Sequence, residues 1–590
     1  MLILQNISYT HPNKDLLFDN INLTLNNRGK VALIGNNGVG KSTLFKIIAG
    51  ETAPSGGQLF LDTNPYYVPQ IFGQYNDMTV AQALRIDKKL GALTEILGGN
   101  VTEEALEVLD DDWTIEDRCK EALEYWHLAD LGPVRRNNSK FLSEMKDCRQ
   151  STDSISDMDC RQSVDLEFAG DIMNIKMGNL SGGQKTKVFL AGITIHKSEF
   201  ILLDEPSNHL DAEGRQLLYD FIRNTSSTLL VVSHDRTLLN LLDTVCELSR
   251  RGIAVYGGNY DFYAEQKNAV KESLSNDIRS KEKALRKAKE KERESTERQQ
   301  KLDARGKKKQ EKAGVARILM NTLKDKAENS TSKMKNVHSE KIGSISQELQ
   351  ELCSSIPDID KMKLGLDNSS LHKGKIIFKA TDINFSYDKC LNIDGNKQSG
   401  REIKSGYNEQ PFLWKENLTF QITSDERILI KGLNGSGKTT LIKIILGSLK
   451  PQMGEVFIAD NKSIYIDQDY SLIKNEFTVY EQAQQFNTSA LQEGEVKSRL
   501  NRFLFTKKDW NKCCRVLSGG ERMRLMLCCL TISNQAPYII ILDEPTNNLD
   551  IQNIEILTAA INEYRGTLIV VSHDETFKEQ VGVDRIISLS

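Results

Sequence analysis

No stretch of this 590-residue chain approaches the roughly 18 to 20 consecutive apolar residues that a membrane-spanning helix needs. Its first residues, Met1 to Tyr9, carry no basic region and no cleavage site, and read instead as an opening strand. Both absences point to a cytoplasmic protein. Ten cysteines are present, but never as C-x-x-C; the close ones are the adjacent pairs Cys513-Cys514 and Cys528-Cys529, poor candidates for one tetrahedral metal site. They read as small buried apolar residues in a reducing compartment. Nor is there an overall positive charge. The formal net charge is −4, so any affinity for nucleic acid must come from a local patch.

What the chain does contain, it contains twice. Gly35-Asn36-Asn37-Gly38-Val39-Gly40-Lys41-Ser42-Thr43 returns as Gly432-Leu433-Asn434-Gly435-Ser436-Gly437-Lys438-Thr439-Thr440. Leu180-Ser181-Gly182-Gly183-Gln184 returns as Leu517-Ser518-Gly519-Gly520-Glu521, Leu203-Asp204-Glu205-Pro206 as Leu542-Asp543-Glu544-Pro545, and Ser233-His234-Asp235 as Ser572-His573-Asp574. The spacing is kept as well. Lysine to the later glutamine (Gln70, Gln468) is 29 and 30 residues, signature serine to glutamate 24 and 26, and glutamate to histidine 29 in both copies. Only the interval from glutamine to signature differs, 111 against 50, so the first copy carries 61 additional residues there. Such register means two copies of one domain. A chain this long is expected to hold several cores, and two units of about 220 residues with a connector would fill it.

Along the chain, Val31-Ala32-Leu33-Ile34 feeds the first glycine-rich loop and a helix opens at Thr43, the strand–loop–helix context that a phosphate loop requires. Helices are expected from about 84 to 130, with Leu90, Leu93, Ile96 and Leu97 at helical spacing and an acidic helix from Thr102. From about 136 to 171 the chain is polar and repeats Asp147-Cys148-Arg149-Gln150-Ser151 at Asp159-Cys160-Arg161-Gln162-Ser163, which reads as a disordered expansion without chemistry. Between the repeats, Lys271 to Lys312 holds 16 Lys and Arg against 9 Asp and Glu. A helix is expected from near Ala264 to Arg305-Gly306, then a basic tip to about Thr331 and a return helix from near Lys333 to Cys353. The segment reads equally as a solvated helical face laced by i,i+4 ion pairs and as an arm reaching for a phosphate backbone. A further polar insertion runs from Asp388 to Pro411, because Tyr9 precedes its lysine by 32 residues and Tyr387 by 51.

The repeated residues suit one chemistry. Successive loop amides converge on one point at a helix N-terminus, Lys41 and Lys438 reach the β- and γ-phosphates, and Ser42 and Thr439 offer a hydroxyl to Mg²⁺. Asp204 and Asp543, at the ends of apolar strands, suit the aspartate that holds the metal directly or through its water. Glu205 and Glu544, which follow, can orient and deprotonate a water and are the candidate general bases. His234 and His573 are placed to meet the γ-phosphate.

The signature taken with the phosphate loops resembles the ATP-binding cassette ATPases over roughly 480 residues, four-fifths of the chain. That resemblance implies an α/β fold: two P-loop domains of this type in tandem, joined by a long charged helical hairpin linker. The expected boundaries are 1–263 for the first, 264–354 for the linker and 373–590 for the second. It further implies that the domains pair head to tail within one chain, as a monomer, and bind two ATP and Mg²⁺ at their interface. Lys41's ATP would be completed by Ser518, Gly519, Gly520 and Glu521, and Lys438's by Ser181, Gly182, Gly183 and Gln184. Tyr9 and Tyr387 match the aromatic that stacks on adenine, and Gln70 and Gln468 the glutamine that senses Mg²⁺ and water.

Within that family the layout looks like the F subfamily, on its fused cassettes, its charged linker, the Tyr256, Gly258, Asn259, Tyr260 motif before the linker, and an arm in the first copy only. Ser207, where threonine is usual, and the 136–171 insertion depart from the pattern. The subfamily resemblance implies binding at the ribosomal tRNA exit site, with the linker directed at ribosomal RNA and P-site tRNA, to modulate translation or protect against antibiotics. Two rivals differ in class. The energising subunit of a membrane transporter would not explain a basic hairpin between cassettes. A DNA-repair or chromosome ATPase would be expected to carry zinc modules or far longer coiled coils.

Overall fold

The computed structural model describes the chain apart from 13–15, 71–72, 129–171, 250–251, 311–335, 354–371, 388–411, 460–461, 534–536 and the single positions 434, 489, 548 and 590. The two polar insertions, the tip of the linker and Asn434 thus lie outside the described residues. Residues 1–260 and 364–590 form one compact unit that contains both repeats, and 261–363 form a second unit.

Each repeat builds the same pair of sheets. In the first, β1 (Leu2–Thr10), β2 (Leu16–Leu25) and β4 (Gly56–Leu61) make an antiparallel sheet in the order β2-β1-β4. The larger sheet takes β3 (Lys30–Ile34), β5 (Tyr66–Val68), β6 (Phe200–Asp204), β7 (Thr228–Val232), β8 (Thr244–Ser249) and β9 (Gly252–Gly257) in the order β5-β6-β7-β3-β8-β9. All its pairings are parallel except β8 with β9. Strands β6 and β7 are buried at every position, as their unbroken apolar runs require in a parallel sheet covered on both faces.

The second repeat follows the same plan, without a counterpart of β9 among the described residues. An antiparallel sheet of β10 (Ile376–Asn384), β11 (Leu418–Thr423) and β13 (Met453–Ile458) accompanies a parallel sheet of β12 (Arg427–Lys431), β14 (Ser463–Ile466), β15 (Ile539–Asp543), β16 (Thr567–Val571) and β17 (Arg585–Ser588), ordered β14-β15-β16-β12-β17. One apolar core forms in each repeat where its two sheets meet the helix that follows the phosphate loop. Phe18, Phe45, Leu33 and Leu202 pack in the first, and Trp414, Phe378, Leu441 and Ile541 in the second.

The first repeat's extra length includes helices Asp87–Leu97, Glu103–Leu109 and Ile115–Tyr125, with Thr102 capping the second through a bond to the Ala105 amide. Arg118 anchors this arm. It pairs with Asp112 at 2.7 and 2.8 Å and donates from Nε to the Ile195 carbonyl, at the end of helix Gly182–Ile195.

In the second unit a single helix runs Tyr260–Gln310, 51 residues, and a further helix covers 336–353. The long helix begins four residues before the expected Ala264 and does not stop at Gly306. A lone glycine costs a helix only about 1 kcal/mol, less than its lysine- and glutamine-rich flanks supply. Arg286–Glu290 and Arg293–Glu297 are i,i+4 pairs on its surface, and Lys281 pairs with Glu348 of the other helix. Exposed pairs of this kind contribute little each, about 0.3–0.5 kcal/mol.

Candidate functional site

The two phosphate loops turn where only glycine turns easily. Gly38 and Gly40 have φ of 81° and 105°, Gly435 and Gly437 84° and 87°. A Cβ on Gly40 would come within 2.8 Å of Phe18 and Leu17, and one on Gly437 would strike Leu413 and Trp414. Each loop runs straight into a helix, Lys41–Ile48 or Lys438–Ile445. There the lysine folds back: Lys41 Nζ donates to the carbonyls of Gly35 (2.7 Å) and Asn36 (3.3 Å), and Lys438 Nζ to those of Gly432 (2.8 Å) and Leu433 (3.1 Å). Burial lowers both ammonium pKa values, opposed by the neighbouring carboxylates.

Facing the lysines, Asp204 and Asp543 close β6 and β15 in register with Val232 and Val571. The next residue in each copy leaves the strand in the left-handed backbone region, Glu205 with φ 53° and Glu544 with φ 49°. Each of their amides donates to the carbonyl of the neighbouring strand end, Val232 or Val571, at 2.8 Å. That backbone costs a bulky L-residue about 1–2 kcal/mol, and strain of this kind clusters at functional sites. Its effect is to turn the glutamate toward the histidine. Glu205 Oε1 lies 3.2 Å from His234 Nε2, and Glu544 Oε1 3.5 Å from His573 Nε2. Burial pushes the Glu205 carboxyl up, against the pull of Lys41, and Glu544 up to about 7. It pushes His234 well down, helped by Lys41, and His573 to about 4. Both contacts therefore join an uncharged imidazole to a carboxyl whose charge is disfavoured, and neither is an ion pair.

Two tyrosines that sequence reasoning passed over hold the aspartates. Tyr67 OH donates to Asp204 Oδ2 at 3.3 Å, and Tyr465 OH to Asp543 Oδ2 at 2.8 Å. Thr439 Oγ1 also donates to Asp543 Oδ2, at 3.3 Å, and Ser42 bonds Asp204. The signal was in the repeat, since each tyrosine stands three residues before its glutamine.

Six buried polar atoms here have no hydrogen-bond partner among the described residues: Asp204 Oδ1, Glu205 Oε1, Glu544 Oε1, His234 Nδ1, His573 Nε2 and, in the second phosphate loop, Ser436 Oγ. An unsatisfied buried polar atom costs about 1–3 kcal/mol, and several at one place fit a site built to receive a polar ligand. The donor set suits an anionic phosphate chain with a hard cation: backbone amides and lysine for the one, hydroxyl, carboxylate and amide oxygens for the other.

A cleft of about 800 Å³ opens at Lys41 and is shared by both repeats. Gly38, Gly40, Lys41, Ser42, Thr43, Gln70, Asp204, Glu205 and His234 line it from the first repeat, and Gln468, Ser518 and Gly519 from the second, together with Asn547 and Arg522, which the sequence did not single out. Across this boundary Asn37 donates its amide to Asp550 Oδ2 at 3.0 Å. A second cleft, about 510 Å³, opens at Lys438. Its walls are Tyr387, Gly435, Gly437, Lys438, Thr439, Thr440, Gln468, Asp543 and Glu544 with close neighbours, all from the second repeat. Ser181, Gly182, Gly183 and Gln184 do not line it. The clefts thus differ in how far the opposite signature enters.

The signature serines have a local task as well. Ser181 accepts the Gln184 amide while Gln184 Oε1 accepts that of Ser181, and Ser518 and Glu521 form the same capping box, so each pair fixes the start of its helix. Gly183 and Gly520 are buried within those helices. Val39 is buried beneath its loop, and Leu433 is exposed. Ser436, the counterpart of Val39, has a buried Oγ with no partner among the described residues. Tyr387 lines its cleft and bonds Thr440 through its hydroxyl. Tyr9 does not line the Lys41 cleft; His11, packed edge-on against it at 5.5 Å, does.

Duplicated α/β domains, each with a phosphate loop, a strand-end Asp-Glu pair and a partnered histidine, define the class: a tandem-cassette ATP-binding protein. Comparison with known proteins places it. The ABC transporter family model matches residues 18–208 and 415–547, and the chain belongs to that family. Its layout is that of the family's F type. It is 28% identical to the probable ATP-binding protein YbiT of Escherichia coli O157:H7, over all of this chain and 96% of that protein. It is 27% identical to the ATP-binding protein Uup of Escherichia coli K12 (95% and 76%) and 26% to ABC transporter F family member 5 of Arabidopsis thaliana (95% and 71%). Among solved structures, the complex of archaeal ribosomal stalk protein aP1 and ribosome recycling factor aABCE1 shares the fold, with a TM-score of 0.50 at 18% identity over 99% of this chain and 87% of that one. No helix among the described residues is long and apolar enough to cross a membrane.

Proposed function

We propose that the protein hydrolyses ATP at two sites and that the hydrolysis governs its association with the ribosome in the cytoplasm. The observation that carries the hydrolytic reading is the pair of left-handed glutamates, buried beside a histidine with an unpartnered oxygen in both copies. Lys41 and Lys438 hold the phosphate chain, with the amides of their loops. Ser42, Asp204 and Gln70 at one site, and Thr439, Asp543 and Gln468 at the other, would hold Mg²⁺, which supplies positive charge to the phosphate oxygens. Glu205 and Glu544 orient the attacking water and take its proton; a carboxyl of raised pKa is a stronger base once ionised. His234 and His573, kept uncharged by burial, can accept or donate one hydrogen bond at the glutamate and the terminal phosphate. Ser518 and Gly519, across the Lys41 cleft, complete that site from the other cassette. One chain supplies both halves, which supports a monomer.

The ribosomal part rests on the F-type layout and on the long helix with its excess of basic residues in an otherwise acidic chain. Closing the cassettes by ATP would favour the docked form and hydrolysis would release it. Moving such a switch from 1:99 to 99:1 needs about 5.5 kcal/mol of differential binding. The test is co-sedimentation of a Glu205→Gln/Glu544→Gln form with ribosomes. ATP-dependent pelleting supports the reading, and equal pelleting with and without ATP would remove it.

A further inference from the structure

The pseudo-symmetry of the two cassettes is broken at Arg215 and at residues around it. Asp211 and Asp550 cap equivalent helices, Ala212–Asn224 and Ile551–Glu563. Four residues beyond them stand Arg215 in the first copy and Ile554 in the second. Ile554 is buried, whereas Arg215 crosses to the other cassette. Its Nη1 donates to the His573 carbonyl at 3.3 Å and lies 3.7 Å from Asp235 Oδ2, while its Nε donates to the Leu210 carbonyl of its own chain segment. The Arg215 side chain is only 12% exposed and that of Asp235 only 8%. A charge so enclosed is held by partners, and removing one is far more costly than removing a surface pair. Tyr219 OH bonds the same Asp235 oxygen at 2.5 Å, and its counterpart in the second copy is Thr558.

The bridge thus joins the loops that carry the two histidines. Asp235 follows His234 of the Lys41 site, and the bonded carbonyl belongs to His573 of the Lys438 site. The charge of Arg215 is felt at Glu544, where it opposes the upward push of burial, and at Asp574. Arg236 crosses in the same direction, to Glu555 at 2.9 Å, and its own counterpart is Glu575. Both cross-cassette arginines therefore come from the first copy.

We propose that Arg215 is a positioning residue for the Lys438 site: it clamps the His573 loop, while Asp235, held in its own place by Tyr219, anchors the guanidinium from the first cassette. This rests on the assignment of Glu205 and Glu544 as the bases. The consequence is that the sites hydrolyse unequally on loss of the clamp, since the Lys41 site has isoleucine in the equivalent place.

The experiment isolates each site by the opposite Glu→Gln change. In the Glu205→Gln background, which reports the Lys438 site, Arg215→Ile should lower kcat about tenfold with little change in KM, the signature of a mispositioned group rather than weaker binding. In the Glu544→Gln background kcat should change less than about twofold. Arg215→Lys, which keeps the charge and a donor, should restore part of the loss. Deuterium exchange is read in parallel on the nucleotide-free protein, where Ser572 to Phe577 should exchange severalfold faster in Arg215→Ile. Equal losses at both sites, no loss at either, or unaltered exchange of that segment would each overturn the proposal. Should the Glu→Gln forms retain full turnover, the assignment of the bases fails, and the exchange result still decides for or against the clamp.

Discussion

Removing the hydroxyl of Tyr465 should weaken the site's grip on its metal rather than on the nucleotide. Burial raises the pKa of Asp543, and the bond from Tyr465 is the largest influence holding it down, ahead of Thr439 and Lys438. Burial and that carboxylate push the tyrosine's own pKa far up, so it remains a donor throughout the working range. Tyr465→Phe leaves the ring and takes away one bond to a charged acceptor, worth about 1.5–3 kcal/mol. For a group that supports a metal ligand this corresponds to a 10–100-fold weaker ion, by the usual order of magnitude. The Tyr67 bond to Asp204 is longer, 3.3 against 2.8 Å, so Tyr67→Phe should cost less. The assay is ATPase rate against Mg²⁺ at saturating ATP, with fluorescent-nucleotide binding in chelator as the control. A half-maximal Mg²⁺ raised at least tenfold with unaltered metal-free binding is the expected result. An unchanged Mg²⁺ dependence, or equal effects on binding with and without the metal, would refute the reasoning.

Other outcomes follow from named contacts. Gly40→Ala adds left-handed strain to a clash with Phe18 and Leu17, together about 2–5 kcal/mol, so thermal unfolding of the first cassette should move down by several degrees and nucleotide binding should fall. His196 Nε2 donates to the Leu84 carbonyl at 2.8 Å, and burial lowers its pKa. The unfolded chain therefore takes up the proton first as pH falls, and stability is lost below about 6.5; His196→Gln should show a smaller drop in Tm between about pH 7.5 and about pH 5.5, roughly a unit either side of the ordinary imidazole value. Neutralising Lys307, Lys308 and Lys309, near the end of the long helix, should weaken ribosome binding and flatten its salt dependence with basal ATPase kept, whereas unaltered affinity across a salt series would make this end a solvated helical face. Replacing 137–168 by a short Gly/Ser connector should leave turnover close to wild type, and a fall at the Lys438 site would show that the segment steers Ser181.

The duplicated α/β fold was legible because each motif demands its own backbone. A strand must lead into Gly35 and Gly432, and a parallel sheet must bury Phe200–Asp204 and Ile539–Asp543, whose apolar runs announce it. Helix ends were less legible. Gly306 looked like a stop, yet one glycine cannot outweigh the run of helix formers around it. Within the site, the repeated motifs whose residues carry evident chemistry were found, and the residues that support them were missed. Tyr67 and Tyr465 escaped because tyrosine before a glutamine has no chemistry until the aspartate is seen beside it. Arg215 escaped because its meaning depends on the opposite cassette, 358 residues away in sequence. The same holds for the unequal clefts: both signatures read alike, and only Ser518 and Gly519 reach the opposite lysine's cleft.

The most direct test of the account is phosphate release and ATP binding measured on one preparation of the Glu205→Gln/Glu544→Gln protein. Both sites should still bind ATP, because the loops of Lys41 and Lys438 are untouched, while release falls at least about 100-fold, as loss of a general base entails. Release near the wild-type rate would contradict it, and so would a loss of binding equal to the loss of turnover.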